Sequence, residues 1–202
     1  MVKEGIYWFL VFFVLAILSL KFFGSSTFYL LPSVFFLLSI FVLYFFRNPE
    51  RKIEYEVNKI YSPADGRIME IEEKDGNRVI KIFMNVFDCH VQRSPFKGIV
   101  ERIEYKKGKF LPAYKKEAEN LNEQNLIEFK TIKGKILVKQ IAGILARRIS
   151  CFVKEGQEVN TGEVIGMIKL GSQVDLILPY SAKLYVKEGD KVFAGKTPVA
   201  EW

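Results

Sequence analysis

Apolar residues follow two regimes along the chain. Residues 6–46 are apolar almost without interruption, with Lys21 the only formally charged side chain among them, whereas from Arg47 onward apolar and polar residues alternate in short runs. The runs 6–23 and 28–46 each approach the ~20 residues that a helix needs to span a bilayer, and the polar tetrad Gly24-Ser25-Ser26-Thr27 separates them. This pattern predicts a transmembrane helical hairpin over residues 1–46. Lys21 can snorkel to the headgroups from the end of the first run, and Pro32 falls near the first turn of the second, where its missing N–H costs little. Tyr7, Trp8 and Tyr44 suit the interfacial belt, and Arg47, Arg51 and Lys52 directly after the second run place the following domain, and with it the N-terminus, in the cytoplasm. A signal peptide with Lys3 at its basic end and a cut near Gly24-Ser25-Ser26 is the competing reading, and the second long apolar run argues against it.

Residues 47–202 suffice for one domain with its own core. Turn signals recur every eight to twelve residues, at Asp65-Gly66, Asp75-Gly76-Asn77, Gly98, Gly108, Gly134, Gly156, Gly162, Gly189 and Gly195. Between them the runs 67–72, 79–84, 99–105, 126–131, 136–141, 164–170 and 174–178 carry the Val, Ile and Phe enrichment of strands, and only 114–121 reads as a short helix. The expectation is a mainly β domain, a compact barrel or sandwich. One repeat is visible. Val153-Lys154-Glu155-Gly156-Gln157-Glu158-Val159 recurs as Val186-Lys187-Glu188-Gly189-Asp190-Lys191-Val192, with Gly162 and Gly195 three residues beyond. The pattern resembles the hairpins of biotinyl and lipoyl carrier domains, in which two similar halves close a flattened barrel, but the Met-Lys-Met tip of such carriers is missing.

Charge and cysteine content narrow the function. The 30 Lys and Arg against 23 Asp and Glu give a net charge of +7, and a basic domain beside a membrane suits an anionic lipid surface. The basic residues alternate with acids, as in Lys115-Lys116-Glu117-Ala118-Glu119, which is no nucleic-acid stripe. Cys89 and Cys151 show neither a paired nor a metal-ligand spacing, so reduced thiols and no metal are expected.

Gly171-Ser172 stands between the runs 164–170 and 174–178, where a continuing strand ladder is expected and no loop is needed. A strained Gly-Ser peptide is open to attack by the serine hydroxyl on the preceding carbonyl, since glycine lets the chain bend into the required approach. The resulting ester eliminates to dehydroalanine, which hydrolyses to a pyruvoyl group. Leu170-Gly171-Ser172-Gln173 resembles the self-cleavage motif of the pyruvoyl-dependent phosphatidylserine decarboxylases, of the short form, and Gly171-Ser172 runs into Val174-Asp175-Leu176 as in that form. Further segments agree in order: Phe46-Arg47-Asn48-Pro49, Ser62-Pro63-Ala64-Asp65-Gly66, Phe87-Asp88-Cys89-His90-Val91-Gln92-Arg93-Ser94-Pro95, Asn122-Glu123-Gln124-Asn125, and Gln140-Ile141-Ala142-Gly143 with Ala146-Arg147-Arg148-Ile149.

The resemblance implies a membrane-bound zymogen of phospholipid biosynthesis that cuts itself between 171 and 172. Its covalent pyruvoyl group, made from Ser172 with neither metal nor pyridoxal phosphate, then serves as electron sink for decarboxylating phosphatidylserine to phosphatidylethanolamine. Ser172 is the implied nucleophile. His90, the only histidine, is the implied acid and base, and Asp65 the group that orients or charge-stabilises it, although Asp-Gly alone would also make an Asx turn. Asp88 reads as a loop aspartate, and Cys89 points away from its neighbour His90 in extended chain. Two departures stand out. Arg93 replaces a second histidine of the long forms, and Gln124 replaces an arginine common in the short ones. Arg147 and Arg148 are then the candidate cations for the lipid phosphate, with a solvated basic pair as the alternative reading. The implied partners are an anionic phospholipid, the bilayer, and the protein's own two chains, with further self-association open. Two rivals remain: the same chemistry on an ether-linked archaeal phosphatidylserine, and a non-catalytic membrane-tethered scaffold of the lipoyl or biotinyl kind.

Overall fold

The apolar start of the chain folds as two helices, α1 (Lys3–Phe22) and α2 (Leu30–Phe45). In the computed structural model, which describes residues 2–22, 29–111, 117–143, 148–169 and 172–202, they belong to a first unit, Met1–Glu50, and the remainder forms a second, Arg51–Trp202. Small residues of α1, Gly5, Ala16 and Ser19, are its buried ones, which lets two apolar helices approach closely. The Val2 N–H donates to the Phe46 carbonyl at 3.1 Å, so the helices run antiparallel. A Cβ on Gly5 would lie 2.3 Å from that of Phe46. Elsewhere the helices turn large apolar side chains outward, among them Leu10, Ile17, Leu30 and Leu37. Among the described residues, only α1 is long and apolar enough to cross a membrane. The second run yields just 16 helical residues, about 24 Å of rise against the ~30 Å of a hydrocarbon core. Gly24-Ser25-Ser26-Thr27 lies outside the described residues.

The second unit is mainly β. Its strands are β1 (Lys59–Tyr61), β2 (Gly66–Lys74), β3 (Asn77–Met84), β4 (Val91–Arg93), β5 (Gly98–Lys106), β6 (Gln124–Lys130), β7 (Lys135–Ala142), β8 (Ile149–Cys151), β9 (Glu158–Val159), β10 (Val164–Ile168), β11 (Ser172–Pro179), β12 (Lys183–Leu184), β13 (Lys191–Val192) and β14 (Pro198–Glu201). The helix expected over 114–121 is the four-residue α3 (Ala118–Leu121), residues 112–116 lying outside those described. Eight strands form one sheet in the order β13-β2-β3-β11-β7-β6-β5-β9, and two three-stranded sheets, β1-β14-β12 and β4-β10-β8, accompany it. Alternation decides the inner face. Ile80 and Ile82 of β3, Val174, Leu176 and Leu178 of β11, Ile136 and Val138 of β7, and Ile127 and Phe129 of β6 join Ile60, Ile165 and Val199 of the small sheets in one hydrophobic cluster. The β2–β3 hairpin turns on Asp75 and Gly76, with φ of 51° and 73°, the two positive values that a two-residue type I′ turn requires.

The visible repeat belongs to a longer duplication. Ser62-Pro63-Ala64-Asp65-Gly66 leading into β2 corresponds to Ser94-Pro95-Phe96-Lys97-Gly98 leading into β5, and each is bound to one repeat copy in the same way. The Val100 N–H donates to the Gln157 carbonyl and Gly156 N–H to Val100; likewise Ile68 donates to Asp190 and Gly189 to Ile68. The Glu155 carboxylate accepts the Ile103 N–H at 2.7 Å, and Glu188 accepts that of Ile71 at 3.2 Å. Strand β9 pairs with the start of β5 and β13 with the start of β2, so the copies occupy opposite edges of the large sheet. They meet at their closing glycines, both at positive φ, where a Cβ on Gly195 would lie 3.2 Å from the Gly162 Cα.

Leu176 sits fully buried in a strand paired on both sides. Leu176→Ala is expected to lower the unfolding free energy by about 3 kcal/mol, and Ile177→Ala, on the opposite and partly exposed face, by less than half of that. Urea unfolding of the full chain in detergent measures both, and equal losses would contradict the assignment of faces.

Candidate functional site

Ser172 opens β11 and is fully buried. Backbone pairing places it between Met84 of β3 and Ala142 of β7 on the inner face, and its Oγ lies 3.4 Å from the Met84 Sδ. The expected uninterrupted ladder from 164 to 178 is not found. Strand β10 pairs with β4 and β8, whereas β11 pairs with β3 and β7, so the chain changes sheet between Ile168 and Ser172. An apolar run reads the same whether it crosses between sheets or stays in one, which is why the sequence did not reveal the crossing. Leu170 and Gly171 lie outside the described residues.

His90 ends the loop between β3 and β4 and is fully buried. Asp88 closes that loop by accepting the Asn85 N–H at 2.9 Å, and Asn85 Oδ1 accepts the Phe87 N–H at 2.8 Å. The His90 Nδ1 lies 3.0 Å from the Asp88 carbonyl oxygen. A carbonyl only accepts, so Nδ1 carries the proton and Nε2 is the basic nitrogen.

Three buried amides connect the large sheet to this loop. The Asn125 Nδ2 donates to Gln140 Oε1 at 2.8 Å, the Gln140 Nε2 to Gln92 Oε1 at 2.8 Å, and the Gln92 Nε2 to the His90 carbonyl at 2.8 Å. Asn125 and Gln140 face each other across β6 and β7, and Gln92 belongs to β4, so the second bond runs from one sheet to another. Gly166 on β10 leaves the necessary space, since a Cβ there would lie 2.8 Å from the Gln140 Nε2. Asn122 frames the same end of the sheet. Its Nδ2 donates to the carbonyls of Ala142 at 2.7 Å and Leu111 at 2.8 Å, and its Oδ1 accepts the Leu111 N–H at 2.8 Å. Sequence reasoning quoted Asn122, Asn125, Gln92 and Gln140 as motif letters only. Strand-interior amides among apolar neighbours were the available signal, because such groups must find partners when buried.

Asp65 lies in a charged cluster. Arg51 Nη2 reaches its two carboxylate oxygens at 2.9 and 2.8 Å, and the Ala194 N–H donates to Oδ1 at 2.7 Å. Both side chains of the pair are at most 10% exposed. Arg93, which donates to the Gly162 carbonyl at 2.8 Å, has its pKa lowered by burial and by the nearby Arg51 charge, with Asp65 acting the other way. Asp65 thus stands with Arg51 and Arg93, and the His90 Nδ1 faces the Asp88 carbonyl. Arg148 is exposed, its carbonyl accepting the Lys169 N–H, and Arg147 lies outside the described residues. Gln124 donates to the Glu119 carbonyl at 2.7 Å.

The outer face of β11 is ionic. Asp175 pairs across the sheet with Lys81 on β3 and Lys139 on β7 and accepts a hydrogen bond from Gln173 Nε2 at 2.6 Å. Burial opposes the charge of Lys81, but Glu119, Glu70 and Glu72 surround its ammonium at 2.7 to 3.1 Å and hold its pKa well above the ordinary value.

Comparison with known proteins bears on these residues together. The family model described as phosphatidylserine decarboxylase matches residues 38–200. The chain is similar to a phosphatidylserine decarboxylase proenzyme of Carboxydothermus hydrogenoformans, 40% identical over 207 aligned positions that cover 98% of this chain and 95% of that one. A proenzyme of the same name from Burkholderia cenocepacia is 42% identical, covering 83% of this chain and 81% of its own, and one from Burkholderia ambifaria is 43% identical with the same coverage.

Burial raises the Asp175 pKa from 3.8 to about 6, against the pull of Gln173 and the Lys139 charge. The unfolded chain therefore releases this proton first as pH rises. Stability should fall between about pH 4 and about pH 6 and stay lower above that, by on the order of 3 kcal/mol. Asp175→Asn is expected to raise stability at about pH 8 by that amount and to leave it nearly unchanged at about pH 4. Denaturant melts at the two pH values read the difference, and an equal effect at both would show that the carboxyl ionises normally.

Proposed function

The chain belongs to the phosphatidylserine decarboxylase family, and from that membership we propose that it decarboxylates phosphatidylserine to phosphatidylethanolamine after cutting itself between Gly171 and Ser172. The observation that carries this reading is Ser172 itself, a buried hydroxyl at the head of a strand paired on both sides, whose Oγ meets only the Met84 thioether among the described residues. A serine needed for the fold alone would be expected to find a stronger acceptor than sulfur.

In maturation the Ser172 Oγ forms a bond to the Gly171 carbonyl carbon and gives its proton to His90 Nε2. The Gly171–Ser172 C–N bond then breaks, the amine takes a proton, and an ester remains. Loss of the Ser172 α-proton and of the Gly171 carboxylate from Cβ leaves dehydroalanine, which water converts to a pyruvoyl group with release of ammonia. The surroundings suit that group, since the Met84 sulfur and the apolar inner face accept the methyl that replaces the hydroxymethyl of Ser172. Once formed, it supplies a carbonyl electron sink for loss of the substrate carboxyl group. His90 then returns a proton to the α-carbon. Asp65, held by Arg51, orients or charge-stabilises His90, and Arg147 and Arg148 serve the lipid phosphate.

The products would be a chain of residues 1–171 and a chain of residues 172–202. They stay together because β11, β13 and β14 of the second pair with β3, β7, β2 and β1 of the first. Residues 1–46 would anchor the domain 47–202 at the membrane with the catalytic part on the cytoplasmic side, as Arg47, Arg51 and Lys52 favour. The two Val-Lys-Glu-Gly copies would act as the lipoyl-like hairpins that close the domain. A diacyl lipid does not leave the bilayer readily, so an anchored site meets it at the headgroup plane, where basic residues attract the anionic substrate.

Intact mass under denaturing conditions, before and after borohydride, tests the reading. Wild type is expected to give two chains, the smaller starting at position 172 with a reducible carbonyl, and Ser172→Ala a single chain of 202 residues. A wild-type chain that stays whole through long incubation would overturn it.

A further inference from the structure

Gln92 is wired as a hydrogen-bond donor, and half of that capacity meets a weak acceptor. The His90 carbonyl can only accept, so the end of Gln92 lying 2.8 Å from it is the NH2 group. Its Oε1 is then at the other end, where Gln140 Nε2 donates, and Gln140 Oε1 takes Asn125. One terminal carbonyl thereby sets the orientation of all three amides. The second N–H of Gln92 faces the Met84 Sδ at 3.7 Å, and a thioether is a poor partner for a fully buried amide. The hydroxyl of Ser172 lies 3.4 Å from the same sulfur. An underused donor and a nucleophile therefore share one atom, in a place with no water-exposed surface at Met84, Gln92 or Ser172.

Attack by Ser172 Oγ sends the carbonyl π electrons of Gly171 onto its oxygen, while the hydroxyl proton goes to the base. That oxygen and Oγ are then bonded to one carbon, so negative charge develops beside the serine. We propose that Gln92 is a catalytic residue of the maturation step, its Nε2–H moving from the Met84 sulfur to the oxyanion formed at Gly171. This rests on the self-cleavage proposed above. A preorganised neutral donor in a dry site costs little reorganisation when charge appears, and Gln140 and Asn125 hold it in orientation.

The test follows cleavage of freshly translated full-length chain in lipid nanodiscs by intact mass over a range of pH. Gln92→Met and Gln92→Leu remove the donor and keep an apolar filling. Each is expected to slow cleavage by roughly a hundredfold at every pH, with the midpoint of the pH profile where wild type has it. Cleavage within about threefold of wild type would overturn the proposal, and so would slow cleavage with a shifted midpoint, which places the effect on His90. Melting curves of the same changes in a Ser172→Ala chain report folding without cleavage. If neither variant folds, the amide is a structural element and the proposal falls. A wild-type chain that does not cut itself defeats the self-cleavage reading instead, and is told apart by needing no variant.

Discussion

Strand β11 is hydrogen-bonded along both edges, to β3 through all eight of its residues and to β7 through the first six. The rest of the domain is arranged around that double pairing. It places Ser172 at the end of the inner face, in register with Met84 and Ala142, and sends Val174, Leu176 and Leu178 into the core behind it. A chain cut at the head of such a strand keeps its backbone bonds, each contributing about 1 kcal/mol net, and keeps its buried apolar row. The scissile bond proposed here is therefore one whose loss the sheet tolerates.

The duplication sharpens the reading of Asp65. Both Ser-Pro-x-x-Gly segments return the serine hydroxyl to the carbonyl two residues on, at 2.7 Å from Ser62 to Ala64 and 2.7 Å from Ser94 to Phe96. They differ where Asp65 in one copy faces Lys97 in the other. Lys97 is exposed and pairs with Glu158, whereas Asp65 is buried against Arg51. The same turn is made with a lysine, so turn geometry does not account for the carboxylate. Its environment does, through Arg51, the Ala194 N–H and the neighbouring charge of Arg93.

The two faces of β11 carry opposite electrostatics. On the side of Ser172, Gln92, Gln140 and Asn125 are neutral amides joined head to tail to the His90 carbonyl, and Gln92 and Ser172 share the Met84 sulfur. Three residues on, Asp175 meets Lys81 and Lys139 across the sheet, with Glu70, Glu72 and Glu119 around Lys81. Desolvation dominates there, and it holds the Asp175 pKa near 6 and lowers that of Lys139. Alternation of side chains along one strand separates the two environments, which otherwise lie only a few residues apart.

Much of this was legible in the sequence because it depends on local periodicity. The apolar runs marked the two helices, the β-branched runs marked β2, β3, β5, β6, β7 and β11, and Asp75-Gly76 marked its turn, since each answers to the chemistry of a few neighbouring residues. The Gly171-Ser172 pair and its ordered companions pointed to the family. The sequence alone did not show that the second apolar run gives a helix of only 16 residues, that β10 and β11 belong to different sheets, or that Asp65 sits with Arg51. It also left Gln92, Gln140 and Asn125 as separate letters, 33 and 15 residues apart, with nothing to say that they form one line. Periodicity sorts residues into faces, but only the packing of one sheet on another brings distant faces together, and a hydrogen bond between buried side chains exists only where that packing has already removed the water.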